Sequence, residues 1–211
     1  MHLDPDDLPD IANLKRRTKA LAMLDAIVCP EWEYRYYSYN SRWSFREEMA
    51  SMRNGQGDEW FLLFDSAGAA LKGLDHESPI ARNAAFPEEI QRVVPPSFSS
   101  FLHEPAFSID HASFCYWRGV SESAWSRVAH PDPVFANTED GSETFLALLV
   151  TPPLFYQEFA LDYYERELPL AAIEHIYANA PLSQELIRTL NPDLGLNDAL
   201  ESASEIAYPD G

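Results

Sequence analysis

The sequence predicts an α+β fold: an antiparallel β-meander of about five to six strands packed against N-terminal and C-terminal helices. Three observations carry that expectation. Apolar residues recur at helical spacing before residue 30 and again after residue 142. Between these stretches the pattern turns to alternation rich in Trp, Tyr, Phe and Met. The turn signals Asn54-Gly-Gln-Gly57 and Ser66-Ala-Gly68 leave connections too short for parallel crossovers.

Residues 1–6 read as a frayed acidic tail. The N-terminal helix is expected over residues 7–29, with Asp7 as N-cap and Pro9 and Asp10 in its first turn. Ile11, Leu14, Leu21, Leu24 and Val28 form its apolar stripe, and Pro30 stops it. Lys15, Arg16, Arg17 and Lys19 make the densest basic cluster in the chain and read as a solvated helix face answering an acidic body.

Residues 31–128 read as mainly β-sheet with a short helical insertion. The first strand is expected over Glu31–Asn40. There Trp32, Tyr34 and Tyr36 face one way, and Glu33, Arg35, Tyr37 and Tyr39 the other. Glu47–Arg53, Glu59–Asp65 and Ala69–Leu74 follow as strands. EWFLLFD is central because it is nearly continuous in apolar residues, so Trp60, Leu62 and Phe64 are assigned to the core. Pro87 opens a short helix, Pro95-Pro96 breaks it, and Ser97–His103 adds one or two turns. Ile109–Arg118 and Ser123–Val128 complete the sheet.

Residues 142–208 read as an acidic helical part. Ser142 caps a helix to Val150, and Leu154–Leu168 carries Phe155, Phe159 and Tyr163 at i, i+4, i+8. Pro169 opens a helix through Tyr177, Ser183 caps another with Leu186, Ile187 and Leu190 facing in, and Asn197 caps a last turn. The whole is expected to be one domain over residues 1–211.

Composition excludes several classes. The chain has 211 residues, 46% hydrophobic and 23% charged, which is ordinary globular usage and not that of a disordered or disulfide-scaffold protein. A formal charge of −19 disfavours direct nucleic-acid binding, which needs cations to displace counterions from phosphates. Residues 128–211 carry 2 basic and 15 acidic side chains, so the helical part is the acidic end. Cys115, among Phe114, Tyr116 and Trp117, reads as a buried core thiol. The acidic N-terminus lacks the pattern of a signal peptide, and runs such as Phe145–Val150 are far short of the ~20 residues that span a bilayer. A soluble cytoplasmic protein is the expectation.

Motif searches find no chemistry outright. The dinucleotide loop, the P-loop, the nucleophile elbow and His-Glu-x-x-His are all absent. No cofactor is implied. The His–acid neighbours are the exceptions: Asp75-His76-Glu77, His103-Glu104 and Asp110-His111. Convergence of Asp75, His76, Glu77, His103 and His111 would make a metal site and a small metal-dependent hydrolase, since imidazole and carboxylate both ligate divalent metals. Adjacent residues on a strand point to opposite faces, which works against such pairs.

Binding surfaces are better represented. Tyr37 and Tyr39, beside Glu33 and Arg35, are expected on an open strand face, the composition of protein interfaces. Asp162, Glu165 and Glu167 form an acidic cluster offset only by Arg166, with Asp162 and Glu165 sharing a helix face. The segment Val94-Pro-Pro-Ser-Phe-Ser-Ser-Phe-Leu102 resembles the proline-led helix of some bacterial toxin-immunity proteins over nine residues. The expected function is a non-enzymatic, cytoplasmic, acidic protein-binding module. Its sharpest form is a bacterial immunity or inhibitor protein neutralising a basic toxin such as a nuclease. Its partner would be a basic protein, with no direct nucleic acid and no membrane.

Overall fold

The structure is a computed structural model and describes residues 2–209. It is an α+β fold in which one six-stranded antiparallel sheet, in sequential order, carries helices on both faces. The chain runs α1 (Ile11–Val28), β1 (Tyr37–Ser44), β2 (Glu47–Arg53), β3 (Glu59–Phe64), β4 (Gly68–Leu74), α2 (Ala85–Val93), α3 (Ser99–His103), β5 (Phe114–Gly119) and β6 (Ser126–Arg127). Six helices follow: α4 (Ser142–Phe145), α5 (Ala147–Val150), α6 (Pro153–Tyr163), α7 (Leu170–Tyr177), α8 (Gln184–Leu190) and α9 (Leu196–Ile206). The meander follows from its turns, since only two to five residues separate the strands from β1 to β4 and antiparallel return is the only geometry they permit.

Strand alternation divides the core into two clusters. One face carries Trp60, Leu62, Phe64 and Tyr116 against α1 and the C-terminal helices. The other carries Phe61, Leu63, Cys115 and Trp117 against α2 and α3. β3, buried on both faces, is therefore apolar at nearly every position, as a fully covered strand must be. Trp60 is 1% exposed and its indole N–H donates to the Phe145 carbonyl at 3.0 Å, pinning α4 to the sheet. Gly73 pairs with Phe114, whose ring lies over it; a Cβ there would stand 1.9 Å from the ring.

Several boundaries differ from the sequence expectation. The N-terminal segment is tied down. Leu3 is buried, its N–H donates to Ser142 Oγ at 2.9 Å, and its carbonyl accepts from Tyr116 Oη at 2.8 Å. The cap of α1 is Asp10 rather than Asp7, because the Asp10 carboxylate accepts the Asn13 N–H at 2.8 Å and Pro5–Asp7 forms its own 3-10 turn. β1 begins at Tyr37 rather than Glu31, and Trp32–Tyr34 is a 3-10 turn. β5 begins at Phe114 and β6 is only two residues long. The helix expected over 143–150 breaks at Leu146 into α4 and α5. α6 ends at Tyr163 rather than Leu168, because Glu165 takes φ +54° and the chain reverses there. Ser183 does cap α8, its Oγ accepting the Leu186 N–H at 3.1 Å.

The basic cluster of α1 works as a clamp as well as a solvated face. Lys15 and Lys19 reach Glu48 of β2 at 2.6 and 3.3 Å, and Tyr39 Oη donates to the same carboxylate at 2.6 Å. Arg17 stacks over Tyr177 and donates to the Thr151 carbonyl. Among the described residues no helix is long and apolar enough to cross a membrane.

Candidate functional site

One end of the sheet gathers the unusual chemistry. Leu14, Thr18, Leu21, Asp25 and Val28 follow a 4-3-4-3 spacing on α1, so the core stripe of the helix includes a carboxylate. Asp25 is fully buried. Its Oδ2 accepts the Tyr37 N–H at 2.6 Å and Tyr164 Oη at 2.8 Å, and its Oδ1 accepts Tyr156 Oη at 2.7 Å. Burial pushes its pKa up from 3.8 to about 6; the three donors and the Arg35 charge pull the other way and do not win. Tyr164 Oη also accepts the Tyr36 N–H at 3.0 Å. One carboxylate thus joins α1, β1 and the end of α6, and any two of these elements lose a shared anchor if it goes.

In front of this knot lies a cleft of about 450 Å³ between residues 29–35, the β2 end at Arg53 and Gly55, and Tyr163–Tyr164. Its arginines are held differently. Arg35 is half-buried and donates from Nε to the Cys29 carbonyl at 3.0 Å and from Nη2 to the Pro30 carbonyl at 2.7 Å. Arg53 is exposed and lies 4.6 Å from the Trp32 ring centroid. The Cys29 thiol is pushed up by burial and by the Asp25 and Glu31 charges, so at neutral pH it stays a thiol and a poor nucleophile.

The residues expected to bind fall in different places. Tyr37 and Tyr39 are 4% and 3% exposed and face α1, which corrects the expectation of an open strand face. Their side of β1 is the covered side, and Tyr37 packs on Phe159 and Trp60. Asp162, Glu165 and Glu167 are all exposed. Glu165 lies beyond the helix end, so Asp162 and Glu165 do not share a helix face, a second correction. From Glu143 to Glu205 all eleven acidic side chains are exposed, and among the described residues none is in an ion pair. α6 also turns Leu154, Phe155 and Leu161 outward, 44%, 46% and 57% exposed.

The histidine clusters do not converge. Asp75 and His76 come together with Asp58, not with Glu77, His103 or His111, and that trio, with potential ligand atoms within 4.8 Å of one another, is the one such group among the described residues. His103 bonds the Ser99 carbonyl in its own helix, and the His111 carbonyl serves Lys72. Within the trio, His76 Nδ1 lies 2.7 Å from Asp58 Oδ1, which also accepts the His76 N–H at 3.0 Å, while Asn54 Nδ2 donates to Asp58 Oδ2 at 2.6 Å. The hydrogen bond to Asp58 holds the His76 pKa above its usual value. Asp75 Oδ1 accepts the Glu77 and Ser78 N–H groups at 3.0 and 3.3 Å. Both carboxylates are thus engaged in closing turns, and the trio works as a latch between the β2–β3 turn and the segment after β4.

Comparison with protein-family models, with curated proteins and with solved structures finds no match. The site therefore rests on its own chemistry. Neither Asp25 nor Arg53 is among the residues that sequence pattern singles out. Asp25 was visible as a lone acid within Ala20–Val28 on the apolar stripe of a helix. Arg53 carried no signal, since a strand-end arginine reads as solvated.

Proposed function

We propose that this chain is a non-enzymatic protein-binding module whose acidic C-terminal helical part docks a basic protein. The observation that carries the reading is the outer face of α6. Leu154, Phe155 and Leu161 stand exposed beside Glu158 and Asp162, with Glu165 and Glu167 just beyond. Arg166 is the sole Lys or Arg between Arg127 and Arg188. An apolar centre with a charged rim is the anatomy of a protein interface, and a rim of one sign selects a partner of the other. The sharpest form of the proposal is a bacterial immunity or inhibitor protein for a basic toxin such as a nuclease, where a negative surface speeds encounter and occludes a site built for phosphates. A cytoplasmic setting belongs to the proposal and is supported by two unpaired cysteines.

The test combines capture of the partner from the native host with stopped-flow association. Raising ionic strength from about 0.01 to 0.15 M shortens the Debye length from about 30 to 8 Å. The association rate should fall steeply, with dissociation changing less. Asp162→Lys, Glu165→Lys and Glu167→Lys together should reproduce much of that fall, whereas Phe155→Ala with Leu161→Ala should act mainly on dissociation. A rate indifferent to both salt and charge reversal removes the reading. The second reading, a metal-dependent hydrolase, retains one observation, the Asp58–Asp75–His76 trio. Stoichiometric zinc, manganese or iron in the purified protein, lost on Asp75→Asn, would favour it.

A further inference from the structure

We infer that the cleft in front of Asp25 is a binding site for a small organic carboxylate with a flat apolar body. The cleft lies at the end of the sheet, apart from the α6 outer face, and does not rest on the protein-docking reading. Its volume of about 450 Å³ falls in the range of small-molecule sites. Its lining includes Tyr34, Tyr163 and Tyr164, residues whose rings suit a planar group by stacking or edge contact. The Tyr164 hydroxyl is engaged by Asp25, so that residue offers its ring rather than a donor.

Two guanidinium groups share this wall in a chain with 34 acidic residues. Arg35 is held in place by the carbonyls of Cys29 and Pro30, which makes it a fixed positive charge that an incoming anion need not order. The Arg53 backbone N–H donates to the Tyr36 carbonyl, but its guanidinium makes no hydrogen bond or ion pair among the described residues and lies over the Trp32 ring, so its side-chain donors are open to a ligand. A carboxylate suits such a fork because it accepts two parallel N–H bonds. Glu33 is the acidic residue on the lining and opposes an anion, so its removal has a predicted sign. The neutral Cys29 thiol adds no charge of its own.

The probe is benzoate, titrated into the full chain and followed by amide chemical shifts, with inorganic phosphate as the comparison anion. Benzoate should shift the amides of residues 33–35, 53–55 and 163–164 saturably. Arg53→Gln should weaken binding by about tenfold, while Arg46→Gln, the same charge change at the distant β1–β2 tip, should leave it within about twofold. Glu33→Gln should tighten it, and phosphate should bind at least about tenfold more weakly, because it lacks the flat body. The inference is overturned by the absence of a saturable shift up to about 10 mM benzoate, by equal weakening in the two arginine variants, or by phosphate binding as well as benzoate.

Discussion

The buried carboxylate of Asp25 makes the stability of this protein depend on pH in a specific direction. Its pKa is 3.8 in the unfolded chain and about 6 in the folded one. Between those values the native state holds the proton more tightly than the unfolded state, so stability falls as pH rises through that window. Above about pH 7 both states are ionised and the contribution is constant. A separation of about two pKa units at 1.36 kcal/mol each is worth about 3 kcal/mol in full; the unfolded carboxyl is already about half ionised at pH 4, so about 2 kcal/mol of it is lost between pH 4 and pH 7. Other carboxylates titrate over the same range, so the measurement is a difference between the wild type and Asp25→Asn. The amide fits the site: its oxygen can face the Tyr37 N–H and Tyr164 Oη, and its nitrogen can donate to Tyr156 Oη. Urea unfolding at pH 4, 5, 6 and 7, read by tryptophan fluorescence, supplies the two curves. Wild-type stability minus variant stability should drop by about 2 kcal/mol across the series. A flat or rising difference would show that the three hydrogen bonds outweigh burial, and the reasoning would be wrong.

Other consequences are testable in the same preparation. Trp60→Ala removes a 1%-exposed indole and its hydrogen bond to Phe145, and should cost about 3–5 kcal/mol in chemical denaturation; a loss under about 1 kcal/mol would mean the sheet core repacks freely. Lys72 is fully buried with its Nζ 3.0 Å from both Glu59 Oε1 and the His111 carbonyl; Lys72→Ala should cost about 3 kcal/mol and Lys72→Met, which keeps the stem, clearly less, with equal losses counting against the packing of that stem. The Cys115 thiol is fully buried and pushed far above its usual pKa by that burial, so in the native protein it should resist a thiol reagent that labels it rapidly once unfolded. Comparable native-state labelling of Cys115 and Cys29 would contradict the packing of that face.

The sequence alone determined the class and most of the strand order, because both follow from local rules. Period-two alternation, a continuous apolar run at Glu59–Asp65 and short turn segments leave little choice but a meander with Trp60, Leu62 and Phe64 inside. The charge distribution likewise needs only the sequence, and it marks the C-terminal helical part as the acidic end. What only the tertiary structure decided is which of two faces is covered. Tyr37 and Tyr39 lie on one side of their strand by alternation, but whether α1 or water meets that side depends on how a distant helix docks. The end of α6 was decided in the same way. Nothing in Tyr163–Leu168 forbids a helix, yet Glu165 adopts a left-handed turn and Tyr164 reaches Asp25 across 139 residues of chain. The same long-range contacts bring Arg53 to Trp32 and Asp58 to His76, pairings that spacing along the chain does not encode. Local propensity selects elements, whereas burial of a charge or closure of a cleft is a property of the assembled layers, where desolvation and packing act between residues remote in sequence.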